Sequence, residues 1–415
     1  MRSRGLMSNV RALVLACLLL ALPLRRVLAE DRLDFKWYYY KEDGERVQSW
    51  GPSFHWETDL NPETTLRIGG VFDVISGATP TGAPLTQKTR PEVVIVPVGT
   101  TTTTTNVVSG ASGKASAQSV TSTHTVTEKQ IIQVPFGPKF LPMATFNDQR
   151  VALNAELSRR FGDYVLTGGL AASNESDYNS LAASLKLDRE FNNKNTIVSL
   201  GVAGTHDLVK NVSLTRWDDK DTVEIIAGFS QVLDPRTLFS LNYSFATQSG
   251  YLDDPYKLAQ VGTDIIAEHR PSWRDKHAIY ATLSHFFDCL NGSIEGGYRF
   301  YTDSFGIDAH TYELTWNQKI GRQFIISPNI RYYEQSAADF YGVQFVTKPE
   351  FYSADYRLSK LSALSYGITV TWKPKDKFAV DAGYERYSMW GRDGQTSGEA
   401  YPDANMVTLG IKIWF

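Results

Sequence analysis

Seven histidines, His55, His124, His206, His269, His277, His285 and His310, are the side chains to question first for metal or acid–base chemistry. No two fall at the spacing that puts a pair of imidazoles on one helical face, and no carboxylate cluster completes a ligand set. Zinc and non-haem iron are therefore not expected. There is no GxSxG elbow, no P-loop and no dinucleotide-binding glycine set. A barrel lipase would set a histidine beside a nucleophile on its outer surface. His285 and His310 have no such neighbour in sequence, and a place at the lipid headgroup level suits the histidines better. The chain is read as a non-enzyme that needs no cofactor. Asp253-Asp254-Pro255-Tyr256 is followed by His269-Arg270-Pro271. The adjacent acids suit either calcium or the shaping of a bend. Cys289 is the only cysteine after residue 29, so no intrachain disulfide is expected; in a turn it is either a reactive thiol or a tolerated residue.

Charge is the chemistry the chain does carry, and it comes with a period of two. Ile294, Tyr298 and Phe300 alternate with Glu295, Arg299, Tyr301 and Asp303. Tyr312, Leu314 and Trp316 alternate with Glu313, Asn317 and Lys319, and Phe378, Val380 and Tyr384 with Asp381 and Glu385. A period of two with one apolar face is the pattern of a strand. The charged parity collects Arg67, Asp73, Glu156, Arg160, Lys186, Asp188, Glu224, Glu295, Arg299, Asp303, Glu313, Lys319, Arg331, Asp381, Glu385 and Lys412. Acidic and basic rows facing each other across a pore set up a transverse field that sorts small polar solutes. The same charges can instead pair between neighbouring strands and stiffen a wall.

The elements that would position these rows number sixteen. Candidate strands begin near Arg32, Val47, Thr64, Arg150, Tyr164, Tyr178, Thr196, Asp221, Leu238, Lys276, Gly292, Ile307, Gln323, Ser359, Lys377 and Ala404. Most run ten to thirteen residues, enough to cross a bilayer at a tilt. Only the strand near 276 has an ambiguous facing. Short turns such as Phe161-Gly162-Asp163, Asp234-Pro235-Arg236 and Gly321-Arg322 alternate with longer connections at 75–148, 207–219, 248–274, 336–356 and 390–403. Seven short turns and eight loops put both chain ends on the short-turn side. The longest connection, 75–148, holds six consecutive threonines, Thr100 to Thr105. It reads as an extracellular hairpin with a disordered tip, as a loop folded into the lumen, or as a separate binding lobe.

The chain ends agree with a secreted barrel. Arg2, Arg4 and Arg11 precede an apolar run from Ala12 to Pro23, and Val27-Leu28-Ala29 offers a cleavage site. Residues 1–29 thus read as a signal peptide, too short in its apolar run for a membrane helix. Removing it takes five arginines and no acids, leaving 37 basic against 45 acidic residues and a net charge of −8. That balance argues against nucleic acid as a partner and hints at cation preference. At the other end Val407, Leu409, Ile411, Ile413 and Phe415 alternate with more polar residues. A final strand closing on an aromatic, here Trp414-Phe415, is what outer-membrane assembly machinery reads.

Several segments also resemble a known family. They include Asp73 to Pro80, Gly250-Tyr-Leu-Asp-Asp-Pro-Tyr-Lys257, His269-Arg270-Pro271, Tyr301 to Gly306, Pro328 to Gln335 and Tyr352-Ser-Ala-Asp355-Tyr-Arg357-Leu358. Together they are similar to Gram-negative outer-membrane barrels of unknown function, over nearly the whole chain beyond residue 29 except the threonine-rich loop. The resemblance implies a link to periplasmic redox or flavoprotein traffic, but supplies no substrate. It marks Asp253, Asp254, Arg270, Asp355 and Arg357 as loop residues to watch. The expectation is an all-β transmembrane antiparallel barrel over 30–415, with lipid, lipopolysaccharide and the assembly machinery as surroundings. It would pass small polar solutes or, alternatively, enclose or dock a periplasmic redox protein or lipoprotein without conducting.

Overall fold

The computed structural model describes residues 31–94, 101–107, 118–124, 130–211 and 216–415. Sixteen antiparallel strands close into one barrel. In chain order they are β1 Arg32–Glu42, β2 Val47–Asn61, β3 Thr64–Pro80, β4 Met143–Phe161, β5 Tyr164–Asn174, β6 Tyr178–Phe191, β7 Thr196–Asn211 and β8 Arg216–Asp234. The second half is β9 Thr237–Gly250, β10 Trp273–Phe287, β11 Gly292–Asp303, β12 Asp308–Ile320, β13 Phe324–Gln335, β14 Leu361–Lys375, β15 Phe378–Gly391 and β16 Asp403–Trp414. Each strand bonds its chain neighbours, and β1 closes the ring on β16 from Arg32 opposite Trp414 to Glu42 opposite Ala404. Closure leaves the barrel wall without an edge that could capture another chain.

Register carries the alternation around the ring. Phe35 sits between Phe54 and Ile411, and Leu314 between Gly296 and Ile330. The apolar parity faces outward: Leu170, Leu181 and Leu200 are 66%, 63% and 60% exposed. Such a band is untenable in water over so large an area and is the surface a barrel shows to lipid. Exposed aromatics bound it at both ends, with Trp50, Trp273 and Trp390 at one and Phe161, Phe324 and Trp372 at the other. The strand with ambiguous facing resolves here. In β10, His277, Ile279 and Leu283 lie opposite Phe245, Tyr243 and Phe239, while Lys276 and Tyr280 take the other face.

The short connections are tight turns. Gly162 and Gly321 adopt φ of +60° and +59°, a region that favours glycine. Several strands begin earlier than their apolar pattern does. β4 starts at Met143, opposite Pro80, so residues 75–80 and 143–148 belong to the wall and the loop proper is 81–142. β8 starts at Arg216. Beyond the lipid the ladder of backbone bonds continues, while the demand for an apolar face stops. Inside the long loop the described parts pair as two hairpins, Thr86–Val94 with Gln130–Phe140 and Thr101–Val107 with Gln118–His124; a third hairpin, Leu258–Val261 with Asp264–Ala267, follows β9. Neither hairpin of the long loop enters the barrel sheet.

The buried apolar clusters lie in the long connections and the strand ends beside them. Phe305, Ile307, Ala309, Ala338 and Leu358 form one; Tyr356, Leu361, Ala400 and Tyr401 a second; Ala259, Tyr352 and Ala354 a third. A packed layer therefore exists at the long-loop end.

Candidate functional site: a charged roof over the bore

Three loops from separate sectors of the ring meet in that layer. Lys257, between β9 and β10, donates from Nζ to the Pro80 carbonyl at 2.6 Å and to Thr79 Oγ1 at 3.2 Å, at the end of β3. Strands β3 and β9 lie six places apart in a ring of sixteen, so the contact spans the mouth. Tyr256 donates its hydroxyl proton to Asp177, in the β5–β6 connection. From the β13–β14 loop, Tyr352 exchanges backbone bonds of 2.8 and 2.9 Å with His269, and Phe345 N–H donates to Gln260 at 2.9 Å. Gly82 sits where these segments touch. With φ at +89°, a Cβ there would lie 2.6 Å from the Leu258 carbonyl oxygen.

Six charges lock this roof. Asp355, 1% exposed, accepts from Arg357 at 2.6 Å and from Arg270 at 2.9 Å, with Lys257 Nζ at 3.9 Å. Arg357 also pairs with Asp254. Glu268 meets Arg270 at 2.7 Å and accepts from the Asp254 N–H at 2.6 Å and from the Ser353 hydroxyl. Three cations thus face three carboxylates, which is what makes burial of so many charges tolerable. Burial pushes the Lys257 ammonium down in pKa. Burial also opposes ionisation of Asp355, but Arg357, Lys257 and Arg270 overcome it and hold that carboxyl well below its usual range. Glu268 goes the other way: burial outweighs Arg270 and pushes it up to about 7.

All five loop residues singled out in the sequence lie here. Asp253 accepts the Arg270 N–H at 2.6 Å and Asp254 is taken by Arg357, so the two adjacent acids serve loop contacts separately. Sequence reasoning missed Lys257 and Glu268 as members, because nothing in their spacing announces that Lys257 reaches Asp355 and β3 or that Glu268 meets Ser353. Sequence reasoning also missed one group of carboxylates. Asp148, Glu175 and Asp177 bring ligand oxygens within 4.8 Å of one another at the loop end. The three come from a strand end and a loop, beyond the reach of a spacing rule.

The sixteen charged residues of the inward parity divide into two groups. Ten are in ion pairs. Arg67 meets Glu57 at 2.6 Å, Asp73 meets Arg150 at 2.5 Å, Arg160 meets Glu190 at 2.6 Å and Lys186 meets Asp188 at 2.9 Å; Glu313 meets Arg331 at 2.9 Å and Asp381 meets Lys412 at 3.4 Å, while Asp303 is held by Arg274. Glu156, Glu224, Glu295, Arg299, Lys319 and Glu385 have no oppositely charged partner within 4 Å among the described residues. Arg67, Arg160, Lys186 and Asp188 border a cavity of about 330 Å³ near the turn end. Beside the roof lies a larger cavity of about 770 Å³, bounded by Asp254, Arg270 and Arg357 of the roof and by Lys276, Arg299 and Tyr301 of the wall.

Over residues 11–217 and 209–405 the sequence matches the family described as "Protein of unknown function (DUF3570)". The chain belongs to this family. No curated protein matches it. Among solved structures it is similar to CdiB from Acinetobacter baumannii, at 7% identity and a TM-score of 0.48, covering 94% of this chain and 61% of that one. It is also similar to the siderophore receptor PirA from Pseudomonas aeruginosa, at 9% identity and a TM-score of 0.43, covering 93% and 62%. The outer membrane protein opdK from the same species gives 10% identity and a TM-score of 0.40, covering 93% and 99%. The chain spans about three-fifths of the length of the first two, and at these scores the likenesses carry no argument about function. For this DUF3570 member the function must come from its own bore and roof.

Proposed function

We propose that this protein is an outer-membrane channel of a Gram-negative bacterium, passing small polar solutes through a charged bore whose outer mouth is narrowed by the roof. The short turns and both chain ends lie on the periplasmic side, and lipid and lipopolysaccharide surround the apolar band. The observation that supports this most is the hydrated inward face. The side chains of Lys186 and Arg331 are 50% and 44% exposed although both point away from the lipid-facing parity. A sixteen-stranded wall is wide enough to leave an aqueous lumen, and charges lining it set selectivity.

One feature supports a second reading. The roof spans the mouth with buried ion pairs, as a non-conducting scaffold barrel that docks a periplasmic redox protein or lipoprotein would tolerate. Single-channel recording of the mature protein in planar bilayers separates the two. Steady steps in potassium chloride are expected from the intact protein, and larger steps when the loop segment 255–268 is replaced by a short glycine–serine linker. Silence from both forms removes the channel and leaves the scaffold.

A further inference from the structure

The 770 Å³ cavity has charge that its own walls do not consume. Six cations border it, Lys220, Arg270, Arg274, Lys276, Arg299 and Arg357, against five acids. Four of the six are taken: Lys220 by Asp207 at 2.9 Å, Arg274 by Asp303, and Arg270 and Arg357 by the roof carboxylates. Lys276 and Arg299 have no carboxylate within 4 Å among the described residues. On the acidic side, Asp177 accepts from the Tyr256 hydroxyl and Asp253 from the Arg270 backbone N–H, Asp254 pairs with Arg357, and Asp355 lies inside the roof. Glu175 is pushed up to about 7 by burial and by Asp148, which trims the negative charge further. Lys276 and Arg299 are thus the two cations of the lining left without an ion pair among the described residues.

Between the two cations stands Tyr301, with the Arg299 guanidinium over its ring at 5.8 Å from the centroid. Lys276 on β10 pairs in register with Asp303, and Arg299 on β11 with Tyr280; between them Tyr301 pairs with Ala278. Phe305, Ile307 and Tyr333 continue the lining. Unpaired cations beside aromatic walls in a partly closed cavity recognise an anion carried on an apolar body: the charge takes the place of the missing carboxylate, and the body covers the rings.

We infer that this cavity is a binding site for a small organic carboxylate with an aromatic or aliphatic body, gripped by Lys276 and Arg299 against Tyr301. The inference rests on the channel reading for its physiological role, making such carboxylates the favoured solutes. Neither cation belongs to the roof lock, so the site can be altered without opening the mouth.

The test uses benzoate as probe, on the full mature protein and on Lys276→Met, Arg299→Gln and the double variant, each checked for the folded barrel by its heat-dependent electrophoretic mobility. Isothermal titration in detergent is expected to show benzoate binding to the parent, weakened at least tenfold in the double variant, with neutral benzyl alcohol bound far less well in both. In bilayers, benzoate should interrupt potassium chloride current in the parent and not in the double variant, whose unblocked current persists. Potassium chloride current that ignores benzoate, with no heat of binding, overturns the site and leaves the channel intact. Absence of current with benzoate still bound overturns the channel and keeps the site. Equal benzoate affinity in parent and double variant also overturns the assignment.

Discussion

Arg357 against Asp355 in the roof and Arg331 against Glu313 on the wall are the same chemical pair in two settings. The first is 2.6 Å long, with its arginine 45% and its carboxylate 1% exposed; the second is 2.9 Å long, with its arginine 44% and its carboxylate 37% exposed, so the two differ in the carboxylate. On the wall, β12 and β13 are already joined by a backbone ladder, so the pair adds to a contact that exists without it. In the roof, Asp355 gathers Arg357 from its own loop with Arg270 and Lys257 from another. Lys257 in turn reaches β3. There the charges are the connection. The same kind of arginine–carboxylate pair is decoration in one region and architecture in the other, and burial together with span decides which.

Asp355→Asn should show this contrast at full size. It removes the negative charge shared by three cations, two of them deeply buried, and breaking such a cluster costs about 3–5 kcal/mol. The cost falls on the roof, since the barrel wall keeps its ladder. Limited proteolysis should cut 251–272 and 336–360 at least tenfold faster, conductance should rise, and the barrel should keep its heat-dependent mobility. A roof as resistant as the parent's would mean that the apolar clusters hold it and the charges do not.

The next largest effect tests the two faces of one strand. Leu200 on β7 lies in the outward band and Ser199 on the bore face, where it donates to Asp188 at 2.5 Å. Leu200→Arg near the bilayer middle should cost about 2–4 kcal/mol, read as a lowered urea midpoint for folding into vesicles. Ser199→Arg should move that midpoint far less. Equal costs would contradict the assignment of lipid and bore faces.

What the sequence showed follows from the same contrast. The sixteen strands were legible because lipid outside and water inside impose a period of two, visible in runs such as Ile294 to Asp303. Strand starts were misplaced where polar extensions such as Arg216-Trp-Asp-Asp-Lys220 stand beyond the lipid, with pairing but no apolar demand. The roof was only half legible. Its segments stood out through Asp254, Arg270, Asp355 and Arg357, but that these residues meet, and that Lys257 and Glu268 complete them, depends on loops crossing the bore. No periodicity encodes that.

The roof should also respond to pH. Glu268 titrates at about 7 when folded, against an ordinary 4.5. A carboxyl raised in this way contributes stability that is fully present below about 4.5 and lost as pH climbs through about 7. Asp355, held low, has the opposite sign: its contribution is present above its ordinary 3.8 and fails only as acid brings the pH down through its lowered folded value. Between 4.5 and 7 the Glu268 effect therefore dominates, and the roof loosens as pH rises. Amide exchange in 257–269, corrected for its intrinsic pH dependence, should be several-fold less protected at pH 8 than at pH 5. Glu268→Gln should flatten the difference, and protection growing with pH would reverse the sign argued here.

The smallest effect belongs to the wall pair, and its smallness is the point. Arg331 and Glu313 are both more than a third exposed, so water screens them in both states, and pairs of this kind are worth about 0–1 kcal/mol. A double-mutant cycle of Arg331→Gln and Glu313→Gln should return a coupling energy in that range. Neither single variant should alter protease resistance of the roof. The measurable change should appear in ion preference: Arg331→Gln removes a cation from a lining that already holds Glu295 and Glu385 nearby, and the reversal potential in a salt gradient should shift towards cations. A coupling as large as the roof's would show that the bore is drier than the exposure of Arg331 implies. The distinction between structural and functional charges would then have to be drawn elsewhere than between roof and wall.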